Sequence, residues 1–535
     1  MHERIMLILG LLFMVFLLVM LARKIRIAYP VFLVLAGLAI SFIPGLPRLH
    51  LDPEVIFLIF LPPLLYEAAW YTSWNDFWKW KRPIILLAFG LVFFTSSIVA
   101  CITSSIIPGF TVALGFLLGG IVSPPDAVAA TTVLKDLTVP RRLLAILEGE
   151  SLVNDASSLI VFRFALAAVL TGTFSIQEAS LQFALVTSMG VVIGLAGAHL
   201  LYVVHRFLPT TPAIDAALTI MTPYSLFLAA EHFHFSGVMA VVSGGLFLSW
   251  RSHEVFRTGN TRLNMLGAWT TMIFVMNALV FILIGLALPE IVEGLGEYSI
   301  AEGIKYGLLI SAVVIVLRIL WIYPTAFVPR WLSARVRQDP PPGWKGPLVI
   351  GWAGMRGVVS LATALSIPLY LSDGVAFPHR NLIVFITFIV IFVTLVLQGL
   401  TLPLLIRLIG LKEIDRIAPE EEQEAGIQLN LDKIALSYIN EHYAAHVAEN
   451  ELLQFLRSSL ENNISANQRR LESLECDATE MHDIEVYRRL LSEVYAEQRK
   501  ELFRLRKYNL FNDEEIRKAE LQLDLNDLKI RGAGD

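Results

Sequence analysis

Long apolar runs alternate with short charged segments along this chain, and the runs have the length of membrane helices. A span needs about 20 mostly apolar residues to cross roughly 30 Å of hydrocarbon. Thirteen runs qualify, near residues 5–22, 29–46, 54–71, 84–107, 110–134, 143–171, 180–203, 214–230, 236–250, 265–288, 306–327, 346–370 and 382–408. The first is not read as a cleavable signal: its apolar stretch is long, most flanking basic residues follow it, and no small-residue cleavage site is evident. After Lys412 the runs stop. The remainder lacks Gly and Pro between 427 and 531 and predicts amphipathic helices around 434–461, 468–507 and 513–530. The pattern therefore predicts an all-α polytopic membrane protein over residues 1–412, followed by a helical tail over 413–535.

Composition sharpens that division. The chain is 56% hydrophobic and 17% charged, against about 25% charged residues in soluble domains. Residues 1–412 carry 26 Lys/Arg and 20 Asp/Glu, whereas 413–535 carry 16 and 27. The loop charges also orient the body. Arg23, Lys24, Arg26, Lys79, Lys81, Arg82, Lys135, Arg141, Arg142, Arg206, Arg251, Arg257, Arg262, Arg330, Arg335, Arg337 and Lys345 fall in one alternating set of loops. Arg4, Arg48, Lys305 and Arg380 make up the other. The basic-rich set belongs in the cytoplasm. The N-terminus is then expected outside and the tail inside, in the cell inner (plasma) membrane.

Several classes of chemistry lose their signatures. Cys101 lies in a span and Cys476 in the tail, so neither a disulfide framework nor a CxxC metal site is expected. No GxxxxGK[ST] loop or HExxH motif is present, which argues against ATP-driven transport and zinc proteolysis. No cofactor and no nucleic-acid partner are expected.

The polar residues inside the spans carry the candidate chemistry, because ionisable groups at membrane depth cost roughly 2.5–3.5 kcal/mol on insertion scales. The sixth span begins Glu148-Gly149-Glu150-Ser151-Leu152-Val153-Asn154-Asp155. Ser151, Asn154 and Asp155 sit at i, i+3 and i+4 and share one helical face. That face offers a hydroxyl, an amide oxygen and a carboxylate, hard ligands for a hard cation. Asp155 is read as functional, because a carboxylate is an expensive way to glue helices. Ser157 and Ser158 are read as a polar seam between helices. Arg163, roughly 12 Å further along the helix, either snorkels to an interface or neutralises a distant acid.

Two spans should be broken. Ser123-Pro124-Pro125-Asp126 interrupts the fifth, since two prolines remove two backbone donors and fix two φ angles. Such irregular backbone survives in a membrane only where protein buries it or it lines a cavity. Its carbonyls and half-helix ends are the kind that secondary transporters use to hold ions. Asp126 then caps the second half-helix and takes part in the site. The twelfth span, Gly351-Trp352-Ala353-Gly354-Met355-Arg356-Gly357, is Gly-interrupted and carries a buried Arg. Arg356 either neutralises half-helix ends or forms an ion pair with a carboxylate such as Glu150. In the third span Glu67 follows Pro62-Pro63; it is either an acid near the ion or a partner for an Arg. Arg318 in the eleventh span needs a partner as well, and Glu150 is the first candidate.

The runs GESLVND, SPPDAVA, FLPPLLYEAAW and GMRGVVSLATALSIP together resemble the sodium/proton exchanger family, and within it bacterial antiporters of the monovalent cation:proton antiporter-1 family. The resemblance spans roughly residues 5–410. It implies about thirteen transmembrane helices with inverted repeats, a six-helix core and a dimerisation domain, hence a homodimer in the lipid bilayer. It implies that Asp155 binds either the cation or a proton, and that Ser151 and the backbone around Pro125-Asp126 complete the shell, so that Na+ sits at Asp155, Ser151 and Asp126. Asn154 stands where electrogenic relatives have a second Asp, which implies electroneutral exchange. Glu150 matches the family acid paired with a buried arginine, and Arg318 and Arg356 match its two intramembrane arginines. Many relatives have Thr where this chain has Pro125, so a hydroxyl ligand is lost there.

The expected function is therefore exchange of cytoplasmic Na+ or Li+ for external H+ by alternating access, with both ions competing for Asp155. A potassium/proton exchanger uses the same framework. A channel needs a continuous pore, and a non-transporting sensor would show no flux. The tail is read as a soluble helical appendage, with Leu471 and Leu474 in a helical bundle or pairing across a dimer. Its run Glu420-Glu421-Glu422 is read as a solvated linker.

Overall fold

The computed structural model describes residues 2–43, 53–134, 137, 139–172, 176–256, 258–295, 298–332, 341, 343–371, 375–411, 420–474, 480–507 and 513–531. Arg48, Lys135, Arg257, Arg335, Arg337 and Cys476, together with the expected boundary after residue 412, lie outside these residues. Two compact units are present, Met1–Asp415 and Arg416–Asp535.

The first unit is built from helices α1 (His2–Ile25), α2 (Tyr29–Ser41), α3 (Pro53–Tyr71), α4 (Lys81–Ile106), α5 (Val112–Val122), α6 (Ala127–Leu134), α7 (Arg141–Thr171) and α8 (Ile176–Phe207). It continues with α9 (Pro212–His232), α10 (Gly237–Trp250), α11 (Gly259–Leu286), α12 (Ile300–Leu332), α13 (Lys345–Trp352), α14 (Val358–Leu365) and α15 (Arg380–Ile409). Among the described residues, eight helical segments are long and apolar enough to cross a membrane, and α2 and α10 are shorter apolar helices. Strand is absent among the described residues apart from one bridge between Tyr370 and Ala376. This is an all-α polytopic membrane protein.

Apolar packing falls into two main clusters. The larger is drawn chiefly from α4 to α7 and α12 to α15, with α1, α2 and α11 against it. The other joins α3 to α8, α9, α10 and part of α11. Where no hydrophobic force drives helices together, small residues permit close approach. Gly37 and Gly285 show this: a Cβ on Gly37 would lie 2.5 Å from the Ile282 carbonyl, and one on Gly285 would lie 2.4 Å from that of Val34. The α2–α11 contact depends on the two glycines.

Both expected interruptions are present. Residues 123–126 separate α5 from α6, and residues 353–357 separate α13 from α14. Two further helices contain a wide turn: Leu86–Leu91 in α4 and Thr394–Gln398 in α15 are π-helical. Such turns free backbone groups for other partners and are frequent at functional sites.

The second unit holds α16 (Glu420–His442), α17 (Glu451–Leu474), α18 (Glu480–Lys507) and α19 (Asp513–Arg531). The sequence suggests one helix over 434–461, but α17 starts afresh at Asn450. Its side-chain oxygen accepts from the amides of Leu452 at 2.9 Å and Leu453 at 3.4 Å, which is how Asn starts a helix. The Glu420–Glu422 backbone is helical and opens α16. α16 packs on α17, where Asn467 donates to Asp432, and α18 packs on α19, where Arg499 pairs with Asp524 at 2.8 Å. Leu471 is half-buried, and the Leu474 side chain lies outside the described residues.

Candidate functional site

Helix α7 supplies the polar face. It runs unbroken for 31 residues, so Ser151, Asn154 and Asp155 are fixed on one side by helical geometry alone. That side meets the break between α5 and α6. The Asn154 side-chain amide donates to the Pro125 carbonyl at 3.4 Å, and the Ser151 hydroxyl oxygen accepts from the Ala127 amide at 3.3 Å. Asp126 caps α6: its Oδ1 accepts from the amides of Val128 at 2.8 Å and Ala129 at 3.4 Å. Capping satisfies amides that the first helical turn leaves unpaired.

The two breaks are joined to each other. The Asp126 amide donates to the Met355 carbonyl at 2.6 Å. Gly357 lies against the Asp126 side chain, and a Cβ there would fall 1.7 Å from Asp126 Oδ2. Only a residue without a side chain allows this approach.

Arg356 fills the crossing. It is fully buried, and its Nε donates to the Val122 carbonyl at 3.0 Å. Its terminal nitrogens reach the carbonyls of Ser123 and Gly354. These carbonyls close α5 and α13, where the helix dipole is negative. Its amide donates to Thr394 Oγ1 at 3.1 Å, at the π-turn of α15. Arg356 therefore holds half-helix ends, while Glu150 pairs with Arg318 in two parallel bonds of 2.5 and 2.8 Å. Arg318 also donates Nε to the Ile350 carbonyl at 3.2 Å.

A cavity of about 60 Å³ lies where these elements meet. Asp155, Ser151, Asp126 and Pro125 line it, with Asn277 of α11, Gly357 just before α14 and Ser360 on α14. Leu61, Leu64, Leu65 and Ala68 of α3 form an apolar wall. Asn154 Oδ1 and Ser360 Oγ are buried without a hydrogen-bond partner. Buried polar atoms are nearly always paired, so the orphaned amide oxygen of Asn154, the residue next to Asp155, is a candidate cation ligand, although Asn154 is not itself among the lining residues. The oxygens gathered here are hard donors that suit an alkali cation or a proton.

Not every sequence candidate reaches the cavity. Glu67 is half-buried on α3 but is not among the lining residues; its electrostatic neighbours include Glu148 and Tyr29. The lining stripe of α3 is Leu61, Leu64, Leu65 and Ala68, and Glu67 falls outside it. Ser157 and Ser158 are committed elsewhere, Ser157 to the carbonyls of Ala88 and Asn154 and Ser158 to that of Asp155. Arg163 pairs with Glu231 of α9 at 2.8 Å. Conversely, Asn277, Ser360 and Thr394 were not anticipated. The available signal for Asn277 was a single amide inside the apolar run MIFVMNALVFILIG.

A family profile described as "Sodium/hydrogen exchanger, transmembrane" matches residues 10–408. Over 387 residues the chain is 33% identical to a "Sodium, potassium, lithium and rubidium/H(+) antiporter" of Bacillus pumilus, covering 71% of this chain and 58% of that relative. The chain thus spans less than two thirds of that relative's length. It is 30% identical over 524 residues to an uncharacterized Na(+)/H(+) exchanger of Mycobacterium bovis, covering 96% of this chain and 94% of the relative. Its fold matches that of the sodium proton antiporter MjNhaP1 from Methanocaldococcus jannaschii at pH 8. That match has a TM-score of 0.57 and 19% identity, and it covers 76% of this chain and 100% of the other.

Proposed function

Because the chain belongs to the sodium/hydrogen exchanger family, we propose that residues 1–412 exchange Na+, or Li+, for H+ by letting cation and proton compete for Asp155. The family is one of secondary transporters, not enzymes, and the transported ions are substrates. The observation that carries the proposal is the shared cavity: Asp155, Ser151 and Asp126 line it, and Asn154, next to Asp155 in sequence, has a buried unpaired amide oxygen. A bare carboxylate in a water-poor cavity is costly. Either ion relieves that cost, so an occupied site crosses more readily than an empty charged one. With Asn at 154, one cation replaces one proton and the exchange is electroneutral. Arg356 and the Glu150–Arg318 pair hold the frame around the site, and Glu67 acts from outside the cavity.

The same reading places the N-terminus outside, the 413–535 tail in the cytoplasm of the cell inner membrane, and two copies in a homodimer. Potassium is a second reading with an observation behind it: the position preceding Asp126 offers a proline carbonyl and no hydroxyl. A relative named for sodium, potassium, lithium and rubidium is consistent with that breadth.

The deciding test is dissipation of a pH gradient in everted vesicles by Na+, K+ and Li+, for wild type and Asp155→Asn. Wild type should respond and the variant should insert but stay silent. Full activity in Asp155→Asn would remove Asp155 from the centre of the mechanism. One-way conductive flux would identify a channel.

A further inference from the structure

A second, larger cavity lies away from the ion site. Its volume is about 530 Å³, within the roughly 300–1,000 Å³ range of small-molecule sites. It opens at one end of the bundle, between the start of α4, the start of α7, the end of α12 and the start of α13. Among its described lining residues, Lys79, Lys81, Arg82, Arg142, Arg330 and Lys345 are basic and none is acidic. Four of these cations are already oriented. Lys79 and Lys81 lie over the Trp80 and Trp78 rings at 5.0 and 4.4 Å. Arg142 stacks on the Trp80 ring at 4.1 Å, and Lys345 Nζ donates to the Ile409 carbonyl at 2.6 Å. Neither α7 nor α13 has a side-chain cap at its N-terminus, and both ends add partial positive charge.

The deeper walls are apolar, with Leu86, Leu143, Ile146, Ile322 and Ala326. Trp344 at the mouth is 57% exposed, and nearby Trp331 is 80% exposed. Tryptophans of this kind mark the membrane–water boundary. The cavity therefore joins a cationic rim at headgroup depth to an apolar wall at acyl depth. Basic pockets between membrane helices recognise anionic headgroups in this way.

We propose that this cavity binds an anionic phospholipid, with its phosphate seated among Lys81, Arg82, Arg142 and Arg330 and its acyl chains against the apolar wall. Occupancy bears on transport through shared elements. The cavity is formed by α7, which carries Asp155, by α12, which carries Arg318, and by α13, which leads into the second break. Arg142 and Asp155 are thirteen positions apart on one rigid helix, roughly 20 Å.

The test uses the full chain in detergent with phosphatidylcholine alone, with cardiolipin added, or with soluble pyrophosphate added. The readouts are the thermal midpoint and the number of lipids retained per folded protein by native mass spectrometry. Cardiolipin should raise the midpoint and be retained by wild type. The Arg23→Gln/Lys24→Gln control on α1, with the same charge change, should behave identically. Lys81→Gln/Arg82→Gln should lose most of both effects. Lipid retention is counted on folded molecules only, so a weaker fold in that variant does not obscure the result. Equal cardiolipin retention by all three proteins would overturn the proposal. So would a pyrophosphate shift as large as the lipid's, which would identify a soluble phosphate ligand.

Discussion

The Glu150–Arg318 pair offers the sharpest quantitative test of the frame around the site. Both side chains are at most 1% exposed and meet through two N–H···O bonds of 2.5 and 2.8 Å. At roughly 3 Å, an effective dielectric of about 20 gives about 5–6 kcal/mol of attraction. Most of that repays the cost of removing both ions from water. The pair as a whole is therefore not the source of stability, whereas an orphaned member is a strong source of instability. Removing one partner should cost about 3–5 kcal/mol, and replacing both by apolar residues of similar volume should be far milder. Glu150→Leu and Arg318→Met should each lower the thermal midpoint of the purified protein sharply. The double variant should lie closer to wild type than either single variant does. It will not recover fully, because the Ile350 carbonyl also loses its Arg318 donor. Thermal aggregation followed by size-exclusion chromatography reads all four proteins under one condition. Additive losses in the double variant would refute the reasoning, since an ion pair acting as a unit must show coupling.

Three further outcomes are expected. Gly357→Ala puts a methyl 1.7 Å from Asp126 Oδ2, so transport should fall at least about tenfold (about 1.4 kcal/mol) while membrane insertion is kept; unchanged initial rates in vesicles would mean that Asp126 is free to move. Asn154→Asp adds a second carboxylate, so exchange should become sensitive to an imposed membrane potential in valinomycin-clamped vesicles, and indifference to potential would contradict the electroneutral reading. Between α10 and α11, the Tyr202 hydroxyl and then Arg251 hold Glu254 below the usual carboxylate range. Their contribution to stability is present above that range and fades as pH falls through the depressed value, so Tyr202→Phe should narrow the gap between midpoints measured at neutral and acid pH, and an unaltered gap would count against the contact.

Much of the site was legible because its parts are local. A helix of known pitch places Ser151, Asn154 and Asp155 together without any knowledge of the fold. Pro124-Pro125 announces a break because proline lacks a donor. Glu150 and Arg318 could be matched because opposite charges at membrane depth have few alternatives. What was not legible depends on distant packing. Asn277 and Ser360 lie more than a hundred residues from Asp155 and reach it only through the placement of α11 and α14. Glu67 shares its helix with the apolar wall, and the sequence cannot tell which stripe of α3 turns inward. Arg356 was ambiguous for another reason. Its partners are carbonyls at helix ends, which carry no side-chain signature.

Those backbone partners bear on how the site could move. α5–α6 and α13–α14 each break, and each break lies beside a helix with a π-turn. Ser157 donates to Ala88 in the α4 turn, and Arg356 donates to Thr394 in the α15 turn. The two breaks touch through the Asp126–Met355 bond and through Arg356 on Val122 and Ser123. A displacement of either break therefore carries Asp126 and the Pro125 carbonyl with it. Asp155 stays on the unbroken α7, but its neighbour Asn154 and the Ser151 hydroxyl are tied to the first break by hydrogen bonds of 3.4 and 3.3 Å. Bonds of that length are at the weak end of the range. The proposed ligand set is thus divided between a rigid helix and two linked breaks, with its longest hydrogen bonds on the seam between them.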